Sequence, residues 1–457
     1  MTGTPVHDVA ALADRFPPGF TFGVASSAYQ IEGAVAAEGR GPSIWDTFSH
    51  EPGRIQNGDT GDLTCDHYHR WAEDLDLLAA LGVGAYRFSV SWPRVLPAGT
   101  GATNERGIDF YDRLIDGLLE RGIEPFLTAY HWDLPQALQD RGGWVHQSIV
   151  EAFADYVGLL ADRFGDRVRT WITINEPQVF AFFGHAIGRH APGERDWGLA
   201  LRVAGAALAA HAVAAARIRA RAPDARVGVA LDLNLVEPAT TSEEDVQAAL
   251  LHRAIRQDWF LDPLFGLGYP ERALAAHREA GHLPDLDPPE LPGSGLDFLG
   301  VNYYTREIVE ADPGSPFGIR VTTGSAGRQT TMGWEVHPDG LRQVLIRLHR
   351  DYGPPSMVVT ENGAAFADPE PGEGVAVPDF ERREYLAAHL EAAARALAEG
   401  VPLSGYFAWS LFDNFEWEKG FGQRFGLVRV DYATQQRSLK ESGEWYRSLV
   451  QQHRAGE

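Results

Sequence analysis

Short apolar runs alternate along the chain with longer stretches whose apolar residues recur every three or four positions. The short runs are rich in β-branched and aromatic residues and read as strands. The longer stretches read as helices with one apolar face. In chain order the pattern predicts strands over 20–28, 85–90, 125–130, 170–175, 226–233, 296–303, 357–360 and 403–411. It predicts helices over 73–81, 107–120, 148–164, 199–220, 243–260, 337–352, 380–399 and 442–451. A long loop, about 30–68, separates the first strand from the first helix.

The strands are nearly continuous apolar runs, as expected of strands buried on both faces of a parallel sheet. Strand and helix in strict alternation imply helical crossovers between parallel neighbours. Eight such units closing on themselves give an α/β fold, a (β/α)8 TIM barrel, expected as a single catalytic domain over 1–457. An open doubly wound sheet is the alternative that the pattern allows. No G-x-G-x-x-G stands at a strand-to-helix turn, and the glycines of 420–426 are wrongly spaced and follow a polar loop. Nucleotide binding is therefore weakly supported. The Pro/Gly-rich loops 282–294 and 368–377 sit between units rather than at a domain boundary, and low complexity is confined to the Ala-rich 203–216.

Composition narrows the function without changing the fold. Of 457 residues, 44% are hydrophobic and 23% charged, which supplies a large core. Lys and Arg number 40 against 63 Asp and Glu, for a net charge of −23. That balance argues against nucleic acid or an anionic membrane as partner and favours a neutral substrate. Cys65 is the one cysteine, so no internal disulfide can form and a cytoplasmic, reducing location is expected. Residues 1–16 lack a basic segment followed by an apolar run, so no signal peptide is expected. No stretch approaches the roughly 18 uninterrupted apolar residues of a membrane span. A homo-oligomer stays open.

The chemistry lies at the strand ends, where the active site of a barrel sits. Val358-Val359-Thr360-Glu361-Asn362-Gly363 reads as a buried strand running into an exposed acid, with an Asn-Gly turn behind it. Trp171-Ile172-Thr173-Ile174-Asn175-Glu176-Pro177 has the same form, with Pro177 ending the strand. A glutamate at a strand end is usually a solvated cap, but two of them can break a glycosidic bond. The other ends offer Gln30, Arg87, His131, Trp132, Asn302, Tyr304 and Trp409, with Glu416 and Trp417 in the loop after the last strand. Amides, imidazole, carboxylate and indoles suit a sugar, whose hydroxyls take hydrogen bonds and whose C–H faces stack on rings. The two acids need opposite protonation states, and Arg87 and Tyr304 are candidates to hold one ionised. His67 and His69 lack further matched ligands, so no metal site is expected.

Thr173-Ile174-Asn175-Glu176-Pro177 and Thr360-Glu361-Asn362-Gly363 resemble the two signature motifs of family 1 glycoside hydrolases, the β-glucosidase family. The stretch Phe22-Gly23-Val24-Ala25-Ser26-Ser27-Ala28-Tyr29-Gln30-Ile31-Glu32-Gly33 is similar to the same family, as are Tyr86-Arg87-Phe88-Ser89, His131-Trp132-Asp133-Leu134-Pro135, Asn302-Tyr303-Tyr304 and Trp409-Ser410-Leu411-Phe412-Asp413-Asn414-Phe415-Glu416-Trp417. The resemblance runs from about 18 to 451. It implies that Glu176 is the general acid/base and Glu361 the nucleophile of a retaining double displacement. It further implies that Asn175 bonds the sugar 2-hydroxyl and that Gln30, His131, Glu416 and Trp417 bind the other hydroxyls. Trp409 would form the floor and Trp334 would line the leaving-group site. Tyr304 and Arg87 would position Glu361. Trp132, Asn302 and Phe425 join this substrate-binding set.

Departures from the family pattern refine the expectation. Glu176 stands where plant thioglucosidases carry Gln, which favours O-glycosides. Glu416-Trp417 stands where the 6-phospho-glycosidases carry a phosphate clamp, and a carboxylate there repels phosphate. Gly184-His185 stands where Gly-Tyr is common. The resemblance therefore implies a β-glucosidase acting on short β-glucosides or oligosaccharides such as cellobiose, with no metal or organic cofactor. The alternatives are a β-galactosidase or β-fucosidase of the family, or a non-catalytic sugar-binding relative. A retaining pair is expected to stand about 5–5.5 Å apart.

Overall fold

In a computed structural model, eight strands close into a parallel barrel: β1 (Thr21–Ala25), β2 (Ala85–Ser89), β3 (Glu124–Tyr130), β4 (Thr170–Asn175), β5 (Arg226–Asp232), β6 (Phe298–Asn302), β7 (Met357–Asn362) and β8 (Leu403–Trp409). The structure describes residues 8–283, 295–324, 327–369 and 376–456. Most of the loops read at 282–294 and 368–377, and the first residues of the N-terminal stretch, lie outside the described residues. Each strand pairs in parallel with its chain neighbour, and β8 closes on β1 with Ala25 opposite Trp409. The (β/α)8 expectation holds, and the open sheet is excluded by that closure.

The two faces of the strands pack separately. Along β2, Tyr86 and Phe88 join the apolar layer under the helices, while Ala85 faces the barrel interior. The interior is filled low down by Phe126, Phe298 and Phe407, with the Phe126 and Phe407 rings 4.7 Å apart. Small residues at Ala25, Ala85 and Ala230 make room for these rings. The lower barrel is therefore a packed core that forms a floor beneath the mouth.

Two strands break the alternation of faces. Register slips between Ile172 and Asn175 in β4, and between Val359 and Glu361 in β7. Ile172 and Val358 belong to the interior cluster. Asn175 and Glu361 also face inward, since both bond to Arg87 inside the barrel. An offset of three residues on one face is odd, and a regular strand allows only even ones. Each bulge thus turns the polar end of its strand toward the barrel mouth.

Most helices match their predicted spans within two residues, as with Glu105–Glu120 and Phe380–Ala398. The first begins earlier than predicted, at His67. His67 and Tyr68 at its start are buried, and His67 bonds Asp74 through Nδ1 at 2.8 Å. The predicted helix 243–260 is Glu243–Arg253 followed by a wide π turn, Ala254–Asp258, and a last segment, Trp259–Leu264. The helix Trp197–Arg221 has the length and hydropathy of a membrane span, yet 56% of its apolar window is buried inside the fold. Among the features that escaped the pattern are the helix Ile44–His50 within the long loop, the helix Glu271–Glu279, the pair Val428–Val430 and Arg437–Leu439, and a small sheet of Leu235–Pro238, Arg306–Ala311 and Ile319–Thr322 beside the mouth. Strands this short show no measurable period.

Candidate active site

A cavity of about 230 Å³ opens at the carboxyl ends of the strands. Glu176 and Glu361 both line it. The sequence pattern suggested exposed acids, but Glu176 is 5% and Glu361 3% exposed. For Glu361 burial follows from the β7 bulge, which points the side chain into the barrel rather than past its rim. Glu176 follows inward-facing Asn175 and is turned in by its own backbone. Glu176 also sits at φ +48, a left-handed conformation rare for residues with a Cβ. Its N–H is fixed by the carbonyl of Ala230 at 2.8 Å, and Pro177 opens the helix behind it.

Glu361 is held by two strong donors. Arg87 Nη1 donates to Oε1 at 2.6 Å and the Tyr304 hydroxyl donates to Oε2 at 2.5 Å. Arg87 Nη2 donates to Asn175 Oδ1 at 2.6 Å, and Nη1 also reaches the Thr360 carbonyl at 3.0 Å. Glu176 has a weaker donor, the neutral amide of Asn302, at 2.6 Å from Oε1. Asn302 Oδ1 accepts from the Thr360 hydroxyl at 2.6 Å, which fixes its amide nitrogen toward Glu176. The environments therefore differ in charge. Burial raises Glu361, and the Arg87 guanidinium and the Tyr304 hydroxyl oppose that rise. Burial raises Glu176 well above the carboxylate range, with the charges of Glu361 and Asp232 adding to it. Glu176 is the proton-bearing member and Glu361 the ionised one.

His131 lies on the cavity wall as a neutral imidazole, because burial and then Arg87 depress its pKa. Its Nε2 faces the Asn175 amide at 3.1 Å, and Nδ1 has no protein partner. With Nε2 accepting, Nδ1 carries the proton and is free to donate to a ligand. Trp409 and Trp417 stack on this ring at 5.9 and 5.8 Å, and Trp132 meets Trp417 at 4.3 Å. Trp334 packs on Tyr304 at 5.3 Å, with Phe425 6.2 Å behind it. Glu416 lines the cavity with Oε2 buried and unpartnered, and burial followed by the charges of Glu418 and Glu361 pushes it up to about 8. Near neutrality it can donate as well as accept.

Four predicted site residues do not line the cavity. Arg87, Asn175 and Asn302 lie directly behind it, aiming the acids. Gln30 is fully buried, and its amide nitrogen is taken by Asn414 Oδ1 and the Phe415 carbonyl at 3.0 and 2.9 Å. In this state Gln30 anchors the loop that carries Glu416. Sequence reasoning missed Asp232, Asn234, Arg256, Glu307, Glu418, Arg189 and His190, all on the cavity wall. Asp232 could have been found, since it ends β5 as Glu176 follows β4. The others come from loops, the π turn and, for Glu307, the short strand Arg306–Ala311, where no local pattern marks them.

The family model described as Glycosyl hydrolase family 1 matches residues 12–455 of the chain. Beta-glucosidase A of Thermotoga maritima is 48% identical over 95% of this chain and 98% of its own length. A bifunctional beta-D-glucosidase/beta-D-fucosidase of Bifidobacterium breve is 44% identical over 96% of this chain and 99% of its own. The solved beta-glucosidase of Thermotoga maritima in complex with glucoimidazole superposes with a TM-score of 0.93 at 47% identity, covering 96% and 99% of the two chains.

Proposed function

The chain belongs to glycosyl hydrolase family 1, and from that premise we propose a retaining β-glucosidase that releases terminal glucose from short β-glucosides such as cellobiose. The observation that carries the reading is the unequal pair in the cavity. Glu361 faces an arginine and a phenol, whereas Glu176 faces only an amide.

The ionised Glu361 attacks the anomeric carbon as the bond to the leaving oxygen breaks, and Glu176 delivers its proton to that oxygen. The product is a glycosyl ester on Glu361. Esterification removes the charge that raised Glu176, which then remains as a carboxylate. It takes a proton from water, and the water oxygen displaces Glu361 from the anomeric carbon. Two inversions retain the β configuration. Trp409 and Trp417 supply flat surfaces for the ring, and His131 and Glu416 supply hydroxyl partners. The single Cys65 allows no internal disulfide, which suits a reducing cytoplasmic setting.

Proton NMR of cellobiose cleavage tests the reading. β-Glucose as the first-formed anomer supports it; no cleavage, or α-glucose first, overturns it. A second reading, β-fucosidase or β-galactosidase activity, draws support from the bifunctional relative and from Glu416, which can meet either epimer. Rates on nitrophenyl glucoside, galactoside and fucoside rank the sugars. Glu361→Gly abolishes turnover, and azide restores cleavage of an activated aryl glucoside with inverted product.

A further inference from the structure

We propose that Asp232 and Arg256 form the recognition element for the leaving group, and that they select a hydroxyl-rich one, a second sugar, over an aromatic one. The inference rests on the β-glycosidase reading above. Asp232 ends β5, the strand beside the one that delivers Glu176, and Glu176 is tied to that strand by its hydrogen bond to Ala230. Arg256 comes from the π turn, which breaks a predicted continuous helix and brings a guanidinium to the cavity wall. Bulges of this kind recur at functional sites.

The pair is built loosely enough to share its hydrogen-bonding groups. Arg256 Nη2 meets Asp232 Oδ2 at 3.3 Å, longer than a good charged hydrogen bond. Arg256 Nη1 is buried without any protein partner. The guanidinium is steered by the Phe183 ring, 4.9 Å beneath it, and Phe183 also lines the cavity. Glu307, the other acid nearby, is already occupied by His252 at 2.6 Å. Arg256 thus keeps a spare donor next to an acid whose carboxylate it only partly engages.

Chemistry limits the ligand. Asp232 and Glu307 stand beside the Arg256 guanidinium, so an anionic leaving group gains little net attraction from it. An aromatic ring offers no hydrogen-bond acceptor to the unpartnered Nη1 and leaves it unsatisfied. A neutral polyol satisfies the nitrogen and the carboxylate together. Burial pushes Asp232 up to about 7, against the pull of Arg256, so near neutrality its carboxyl is available in both forms to a hydroxyl. Sites with buried hydrogen-bonding groups discriminate strongly against substrates lacking the matching hydroxyl.

The test compares kcat/KM for cellobiose with that for 4-nitrophenyl β-glucoside in the full-length enzyme and in Arg256→Met, which keeps the stem over Phe183. The expected result is a fall of about tenfold or more in the cellobiose-to-aryl ratio, carried mainly by a higher KM for cellobiose. Arg256→Lys recovers part of the ratio, and Asp232→Asn lowers it. An equal loss on both substrates overturns the inference, as does an unchanged ratio. If Arg256→Met does not fold, the Lys and Asn variants give the same reading. Failure of the wild-type enzyme to cleave either substrate counts instead against the β-glycosidase reading.

Discussion

Arg87 Nη1 lies 2.6 Å from Glu361 Oε1, and both side chains are at least 96% shielded from solvent. The second arm of the guanidinium holds Asn175 at 2.6 Å. One cation from β2 therefore fixes the charge of one catalytic strand and the amide beside the other acid. A buried ion pair contributes little to stability on balance, because desolvation offsets attraction. This one sets which of two carboxyls is charged.

Arg87→Met removes that control. Breaking a buried pair from one side costs roughly 3–5 kcal/mol of stability, so a clear loss of Tm is expected, and kcat/KM falls with it because Glu361 loses the cation that keeps it charged. Arg87 holds the Glu361 pKa down against burial, so its loss lets that pKa rise. The acid limb of the kcat/KM profile then moves to higher pH. A profile that keeps its acid limb in place contradicts the assignment.

Glu361→Gln removes a negative charge that pushes Glu176 upward. The Glu176 pKa is expected to fall in the variant, seen directly by carbon NMR of labelled glutamate. An unchanged titration means that the two acids do not sense each other.

Glu418 ties the loop after β8 to the loop after β4. Arg189 Nε donates to it at 2.7 Å and His190 Nε2 lies at 2.8 Å. Burial raises the Glu418 pKa, but His190 and Arg189 outweigh it and hold the carboxyl at about 2. Burial also lowers the pKa of His190, so at neutral pH Arg189 is the stronger counter-charge. A depressed folded pKa means stabilisation that is complete above the unfolded carboxylate value of about 4.3 and is lost as pH falls toward 2. Glu418→Gln should flatten the fall in Tm across that window. Because Trp417 is the neighbouring residue, a severalfold rise in KM is expected as well.

Gly363 packs where a side chain cannot. An added Cβ would sit 1.7 Å from the Trp409 carbonyl oxygen. Gly363→Ala must push β7 and β8 apart, at a cost of about 3 kcal/mol. A clear loss of Tm, together with lower activity from displaced Trp409, is the expected result. A variant with the parent Tm would show that the strands yield easily.

The positions of the strands and of both acids were legible because a β-branched run followed by a carboxylate is a local signal. The same rule, applied to β5, would have reached Asp232. Burial of the acids was not legible, since it depends on a bulge in β7 that only pairing between strands reveals and on a left-handed backbone at Glu176 that no local pattern marks. The Asn362-Gly363 pair reads as a turn, but the structure uses Gly363 for close approach to Trp409 and Asn362 as a donor to the Tyr303 carbonyl at 2.7 Å. Gln30 sits in a matching motif, yet its amide is consumed by the loop of Asn414 and Phe415. Arg256 is brought to the wall by a π turn far from any motif, and Glu418 stands one residue past the motif that ends at Trp417.

The paired irregularities in β4 and β7 divide the barrel into two stories with separate rules. Below them, side chains alternate and can be exchanged for others of like volume. Above them, the reversal in β7 aims Glu361 inward, so deleting or inserting a single residue there would swing its carboxyl from the sugar to the helices. A designer grafting this chemistry onto another barrel must therefore transplant the kink with the acid, because the glutamate alone would arrive facing the wrong way.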